Sequence, residues 1–222
     1  MGKEIYLFRA EDNDTYKSFK NRMLEISNSF AENTNPQALK ITITENHPPG
    51  ISIIPFRRNK VAVISMVTNN AQSRNDLSKV AGISGAWLVT EALPVKYEKT
   101  WSNHMKTPGA CLLTLFKKRT NIDHNTFIHR WHNSHTPLSL KIHPLWHYNR
   151  NVVGKKLVEK SEDWHGIVEE HCRTTSELLN PVKFFGGPLK MLPNMLKVYT
   201  DTRSFLDYKT IETYLVAEYI VV

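Results

Sequence analysis

Apolar and polar positions alternate along Lys3 to Arg9 (KEIYLFR) and Ala38 to Glu45 (ALKITITE), the period-two pattern of strands with one buried face. Between them Tyr16, Phe19, Met23, Ile26 and Phe30 recur at helical spacing, with Asp12 and Asp14 as candidate N-caps. His47 to Arg58, with Pro48, Pro49, Gly50 and Pro55, reads as a loop. Lys60 to Thr68 is a third, more apolar strand. A polar turn at Asn69 to Asn75 leads to a short helix near Asp76 to Val80, and Gly85 to Leu93 is a strand ended by Pro94. The order β-α-β-β-α-β is the split βαβ of a ferredoxin-like unit.

After Lys96 to Pro108 the pattern starts again. Gly109 to Lys118 is a strand, and Asp123 caps a helix carrying Phe127, Ile128 and Trp131. Leu145 to Val153 and Trp164 to Cys172 alternate as strands. Thr174 to Leu179 starts a short helix, Phe184 to Pro188 a turn, and Met195 to Asp201 a fourth strand. Ser204 to Tyr208 reads as helical and Thr213 to Val222 as an apolar strand. The fold class expected is α+β: two ferredoxin-like βαββαβ repeats, 1–95 and 109–222, joined by a linker at 96–108 and closing one intrachain, pseudo-dimeric barrel.

Composition narrows the function classes. In 222 residues, 41% hydrophobic and 23% charged positions suit a globular chain, and 29 Lys+Arg against 21 Asp+Glu give a net charge of +8. That balance favours an anionic small-molecule partner. The basic residues are dispersed, without the dense stripe of a nucleic-acid binder, and no 18-residue apolar run suggests a membrane span. Met1 to Arg9 is too polar for a signal peptide, and two cysteines without a pairing pattern, Cys111 and Cys172, point to a reducing, cytoplasmic setting. The apolar tail strand leaves a homodimer open. Dinucleotide, P-loop and nucleophile-elbow motifs are missing, so no cofactor is expected.

Candidate chemistry concentrates in Thr126 to Asn151, which holds His129, His132, His135, His143 and His147. At 100° per residue Phe127, Trp131 and His135 share one helix face, and Pro137 is expected to stop the helix, leaving His135 at its buried edge. There the imidazole can act as acid, base or donor, or can simply cap the last carbonyls. His129 and His132 fall off this face. Strand alternation sets His147, Asn149 and Asn151 opposite Trp146, Tyr148 and Arg150. It also groups His165, Ile167, Glu169 and His171 on one face, where a carboxylate could tune an imidazole. No compact metal-ligand spacing accompanies them, so no metal is expected.

Phe127-x3-Trp131-x3-His135-Thr-Pro, preceded by LLTLFKKR and followed by Tyr148-Asn149-Arg150-Asn151, resembles the EthD-like family of dimeric α+β-barrel proteins. Ser204-Phe-Leu-Asp207 with Glu218-Tyr219 is similar to that family's closing segment. The resemblance covers residues 109 to 222; the helix from Asp14 to Phe30 lacks Trp-x3-His, so the first half is a degenerate copy. It implies one pocket per chain, in the second half, and relatives that include cofactor-free enzymes moving protons or eliminating water on aromatic compounds, and accessory proteins of oxidation systems. The resulting expectation is a barrel binding a small apolar or aromatic molecule. His135 is its acid or base, Tyr148 and Asn149 orient the substrate or stabilise an oxyanion, and Trp131, His147, His165, Glu169 and His171 line the site. The alternative is a non-catalytic binding or accessory protein with the same barrel.

Overall fold

The structure is a computed structural model describing residues 2–68 and 76–222. Its strands are β1 (Lys3–Arg9), β2 (Ala38–Ile43), β3 (Val61–Val67), β4 (Ile83–Val95), β5 (Ala110–Phe116), β6 (Leu145–Lys156), β7 (Gly166–Cys172) and β8 (Glu212–Ile220). These eight close an antiparallel barrel in the order β1-β3-β2-β8-β5-β7-β6-β4. The first four run β4-β1-β3-β2 around the wall and the last four β8-β5-β7-β6, the same order in each half of the chain. The halves join at two seams, β2 on β8 and β4 on β6. Pairing every edge in this way leaves none of these eight strands open to aggregation.

Alternation divides each strand between the barrel interior and an outer face covered by helices. The interior core draws on both halves: Ile5, Leu7, Val61, Val63, Trp87 and Val89 meet Cys111, Leu113, Leu115, Ile167, Tyr214 and Val216. Outside, α1 (Tyr16–Thr34) lays Phe19, Met23 and Phe30 on the first half. On the second half, α2 (His124–His129), a π-helical stretch (Arg130–His135) and α3 (Thr136–Ile142) run on as one rod that buries Phe127 and Trp131. Gly166 makes room for them, since a Cβ there would lie 2.3 Å from the Phe116 ring and 2.7 Å from that of Trp131. The short α4 (Thr175–Leu179) and α5 (Pro181–Phe184) lead into α6 (Met191–Arg203), which completes this layer.

Several elements depart from the sequence expectation, each for a local reason. Met195 to Asp201 is helical: Met191, Met195, Val198 and Thr202 form the inward row of α6, and β8 supplies the last strand of the half. Pro137 does not stop its helix. The Thr136 N–H already reaches back five residues to the Trp131 carbonyl, and Pro137 starts α3 where a missing donor costs little. Thr15, not Asp12 or Asp14, caps α1 through a reciprocal bond with Ser18, while Asp14 pairs with Arg22. Pro94 lies inside β4, at a register shift where no ladder donor is needed. Residues 204–205 and 208–210 form turns on either side of a bridge from Leu206 to Lys118, residues 76–78 are helical, and the turn expected at 69–75 lies outside the described residues.

Candidate functional site

The sheet separates the expected site residues into two groups. His135, Tyr148 and Trp131 lie on the outer, helix-covered side, whereas His147, Asn149, Glu169 and His171 point into the barrel. Tyr148 and Asn149 are consecutive on β6 and so face opposite ways, and His135 meets the tyrosine's side only. His165 joins neither group. It precedes β7, where alternation has not begun, and its ring lies 5.9 Å from Phe127 at the sheet's edge.

On the outer side a cavity of about 320 Å³ opens between β5, β6 and β7 and the helical layer over them, at the π-helical stretch, α3 and α6. Its walls are apolar, including Leu112, Phe116, Trp131, Val168, Val198 and Phe205. Three polar features converge there. His135 holds Asp201 of α6 through Nδ1 at 2.8 Å, and its Nε2 meets the Ser139 hydroxyl at 3.1 Å. The neighbouring Ser134 donates to the other Asp201 oxygen at 2.6 Å. Burial pushes the Asp201 carboxyl up, but the bonds from His135 and Ser134 outweigh it and hold the group below its ordinary range. With Asp201 ionised the shared proton lies on Nδ1, so Nε2 accepts from the Ser139 hydroxyl, which a ligand must displace to reach that lone pair.

Glu170 is the third feature. Paired in register with Tyr148 on β6 and Leu112 on β5, it lines the same cavity, and among the described residues no side chain hydrogen-bonds it. Burial raises its carboxyl above the usual range, only partly offset by His135. Burial likewise raises the Tyr148 phenol, so it enters the site as a neutral donor. Glu170, Asp201 and Ser139 were not singled out by sequence. The one visible signal was Glu170 as the lone carboxylate in the row Gly166, Val168, Glu170, Cys172.

The barrel interior is polar at one end. Lys40 reaches across from β2 to Glu169 at 2.5 Å and Glu218 at 2.7 Å, and Thr42 donates to Glu169 at 3.0 Å. Tyr97 and Thr107, from the segment linking the halves, donate to Glu218 at 2.6 and 2.8 Å. Burial opposes the Lys40 charge, yet the two carboxylates hold its pKa well above the usual lysine value. Burial also raises Glu169 and Glu218, and Lys40 outweighs it in both. His171 lies 3.6 Å from Glu218, but burial depresses its pKa, so this is a neutral imidazole beside a carboxylate. The His147 ring lies 5.1 Å from that of His171 and 4.2 Å from Tyr97. A bulge at Trp146, absorbed between Leu145 and His147, turns that indole toward Tyr97, away from the face it was expected to share with Tyr148.

No protein-family profile and no curated protein matches this chain. Solved structures do, three of which follow. An anthrone oxidase-like protein superposes with a TM-score of 0.61 at 7% identity, over 99% of this chain and 91% of the other. A candidate monooxygenase from Fusobacterium nucleatum gives 0.51 at 9% identity, over 99% and 92%. A candidate monooxygenase from Lactobacillus acidophilus gives 0.50 at 7% identity, over 98% and 94%. At these identities the likeness is one of fold, an α+β architecture whose antiparallel barrel is closed within a single chain.

Proposed function

We propose that this chain is an EthD-like barrel of two ferredoxin-like repeats that binds a small aromatic or apolar molecule in the cavity beneath the π-helical stretch, α3 and α6, and transfers a proton there. The observation that carries the reading is the pairing of His135 with Asp201 beside a raised Glu170, to which no side chain hydrogen-bonds among the described residues, in a mainly apolar cavity. Environments that drive two carboxyls apart mark acid and base roles. His135 Nε2, once the Ser139 hydroxyl turns away from it, removes a proton from the substrate, Asp201 stabilises the imidazolium that forms, and the neutral Tyr148 phenol donates to the oxygen on which charge develops, beside Glu170. The aromatic wall of Trp131, Phe116 and Phe205 excludes water and holds a flat ring system.

The neighbour named as anthrone oxidase-like is in keeping with such a substrate. The methylene of an anthrone is made acidic by two aryl rings and the conjugated ketone, so loss of its proton is a natural opening step. Fluorescence titration with anthrone tests the binding half of the reading: wild-type protein binds it saturably, and Val198→Trp, which fills the cavity, does not. Equal binding by both proteins would remove the cavity from consideration. The second reading is a non-catalytic carrier or accessory protein, favoured by the same apolar walls; it predicts binding without proton exchange.

A further inference from the structure

We propose that a basic cleft adjoining the outer cavity is a carboxylate subsite, and that the aromatic ligand of that cavity is an acid whose charged group docks there. The inference rests on the outer cavity holding such a ligand and adds the charge it carries. A cavity of about 390 Å³ lies between residues 119–121, beyond β5, and the C-terminal end of α6. Its charged lining is Arg119, Arg203 and Lys209 against Asp207, two positive charges in excess. Among the described residues none of the three cations forms an ion pair, with Asp207 or with any other carboxylate. Asp207 accepts instead from the backbone N–H of Lys209 at 3.1 Å. Backbone bonds tie the two sides of the cleft together: Arg119 N–H donates to the Phe205 carbonyl at 2.9 Å, Asp207 N–H to that of Lys117 at 3.0 Å, and Lys118 bridges to Leu206 between them. Each guanidinium is anchored through one nitrogen. Arg119 Nη1 donates to the Arg203 carbonyl at 3.1 Å, and Arg203 Nη1 to the Tyr199 hydroxyl at 2.8 Å. Among the described residues Nη2 and Nε of both remain for a ligand, and a planar fork held in place matches a planar carboxylate.

Position ties the cleft to the ring site. Leu206 and Tyr208 line both cavities, and Tyr199, which holds Arg203, lines the outer one. The Tyr208 hydroxyl shares a hydrogen bond of 2.5 Å with Thr202, itself part of the outer cavity's wall. The outer cavity has no lysine or arginine among its described lining residues, and it contains Glu170, so a carboxylate gains nothing there. The two ends of an aromatic acid are therefore sorted, ring to the apolar cavity and charge to the cleft. The C-terminal end of α6 would oppose an anion, but its last carbonyls are taken up. That of Thr202 accepts from the N–H groups of Phe205 and Leu206, that of Arg203 from Arg119, and that of Ser204 from Arg130.

Isothermal titration with naphthylbutyrate, whose carboxylate sits on a three-carbon arm, and with its primary amide tests this directly. The acid should bind about tenfold or more tightly than the amide, and added salt should narrow the gap. Arg119→Gln should weaken the acid by about tenfold and leave the amide within about twofold. Should that variant fail to fold, Lys209→Glu, at an exposed side chain without a hydrogen bond among the described residues, takes its place with the same expectation. Val198→Trp, which fills the outer cavity, should abolish binding of both compounds. Equal binding of acid and amide, or equal losses for both in the cleft variant, would overturn the subsite and leave the outer cavity's role standing. Binding of neither compound would overturn that role and the subsite with it. An acid preference that survives in Val198→Trp would place the ring elsewhere and overturn the proposal as well.

Discussion

Asp201 on α6 and Glu170 on β7 lie on the same, outer side of the barrel, yet their surroundings drive their protons in opposite directions. Asp201 accepts from two adjacent residues, Ser134 and His135, whereas Glu170 has only desolvation and a distant imidazole. Replacing Asp201 by asparagine removes the charge that steadies His135 as an imidazolium, and steady-state rates on an identified substrate should fall about 10²–10⁴-fold. A variant retaining full kcat would reduce Asp201 to a helix tether. Glu170 makes a thermodynamic prediction as well. Because its folded-state pKa is raised, its contribution to stability is complete below the ordinary glutamate range and is lost as pH rises through the folded value. The Tm difference between wild type and Glu170→Gln, followed by calorimetry across pH, should therefore move against wild type as pH rises. A difference that moves in its favour would contradict the burial argument.

At the scale of elements, the faces of β6 and β7 were legible because a closed barrel enforces alternation, so His147 with Asn149, and Glu169 with His171, could each be grouped before their direction was known, whereas His165, expected beside Glu169, precedes β7 and leaves that row. The partners of His135 were not legible. Met195 to Asp201 fits a strand as Met195, Lys197, Tyr199, Asp201 and a helix as Met195, Val198, Thr202; packing on Phe184 and Phe185 decides for the helix, and only then does Asp201 face His135. Pro137 misled for a related reason. A π-helical turn had already displaced the ladder that a proline would break. Because α6 supplies both Asp201 and the cavity wall at Met195 and Val198, while exposing Leu192 and Leu196, it should open more readily than the barrel strands. Hydrogen exchange followed by mass spectrometry should show α6 amides exchanging well before those of β5 and β7, and slowing when an aromatic ligand is bound. Unchanged exchange in α6 on ligand binding would place the ligand elsewhere.

At the scale of the whole molecule, one chain closes a barrel through two seams, and its interior carries charge that both halves must neutralise together. Lys40 comes from the first half and its partners Glu169 and Glu218 from the second, so the ion triad locks one half to the other. Lys40→Ala leaves two buried carboxylates uncompensated and should cost about 3–5 kcal/mol in urea unfolding. Adding Glu169→Gln and Glu218→Gln should recover much of that loss, and a triple variant no more stable than the single one would show the lysine acting through packing alone. Among the described residues no helix is long and apolar enough to cross a membrane.

The central claim is that His135, held by Asp201, moves a proton to and from an aromatic ligand in the outer cavity. Its most direct measurement needs no knowledge of the natural reaction: exchange of an acidic benzylic C–H of an aromatic ketone with D2O, followed by proton NMR in the presence of the protein. Wild type should accelerate the exchange, and His135→Ala, with ligand binding retained, should slow it about 10²-fold or more. Exchange that is as fast in His135→Ala as in wild type, or no faster than in buffer with ligand bound, would contradict the account.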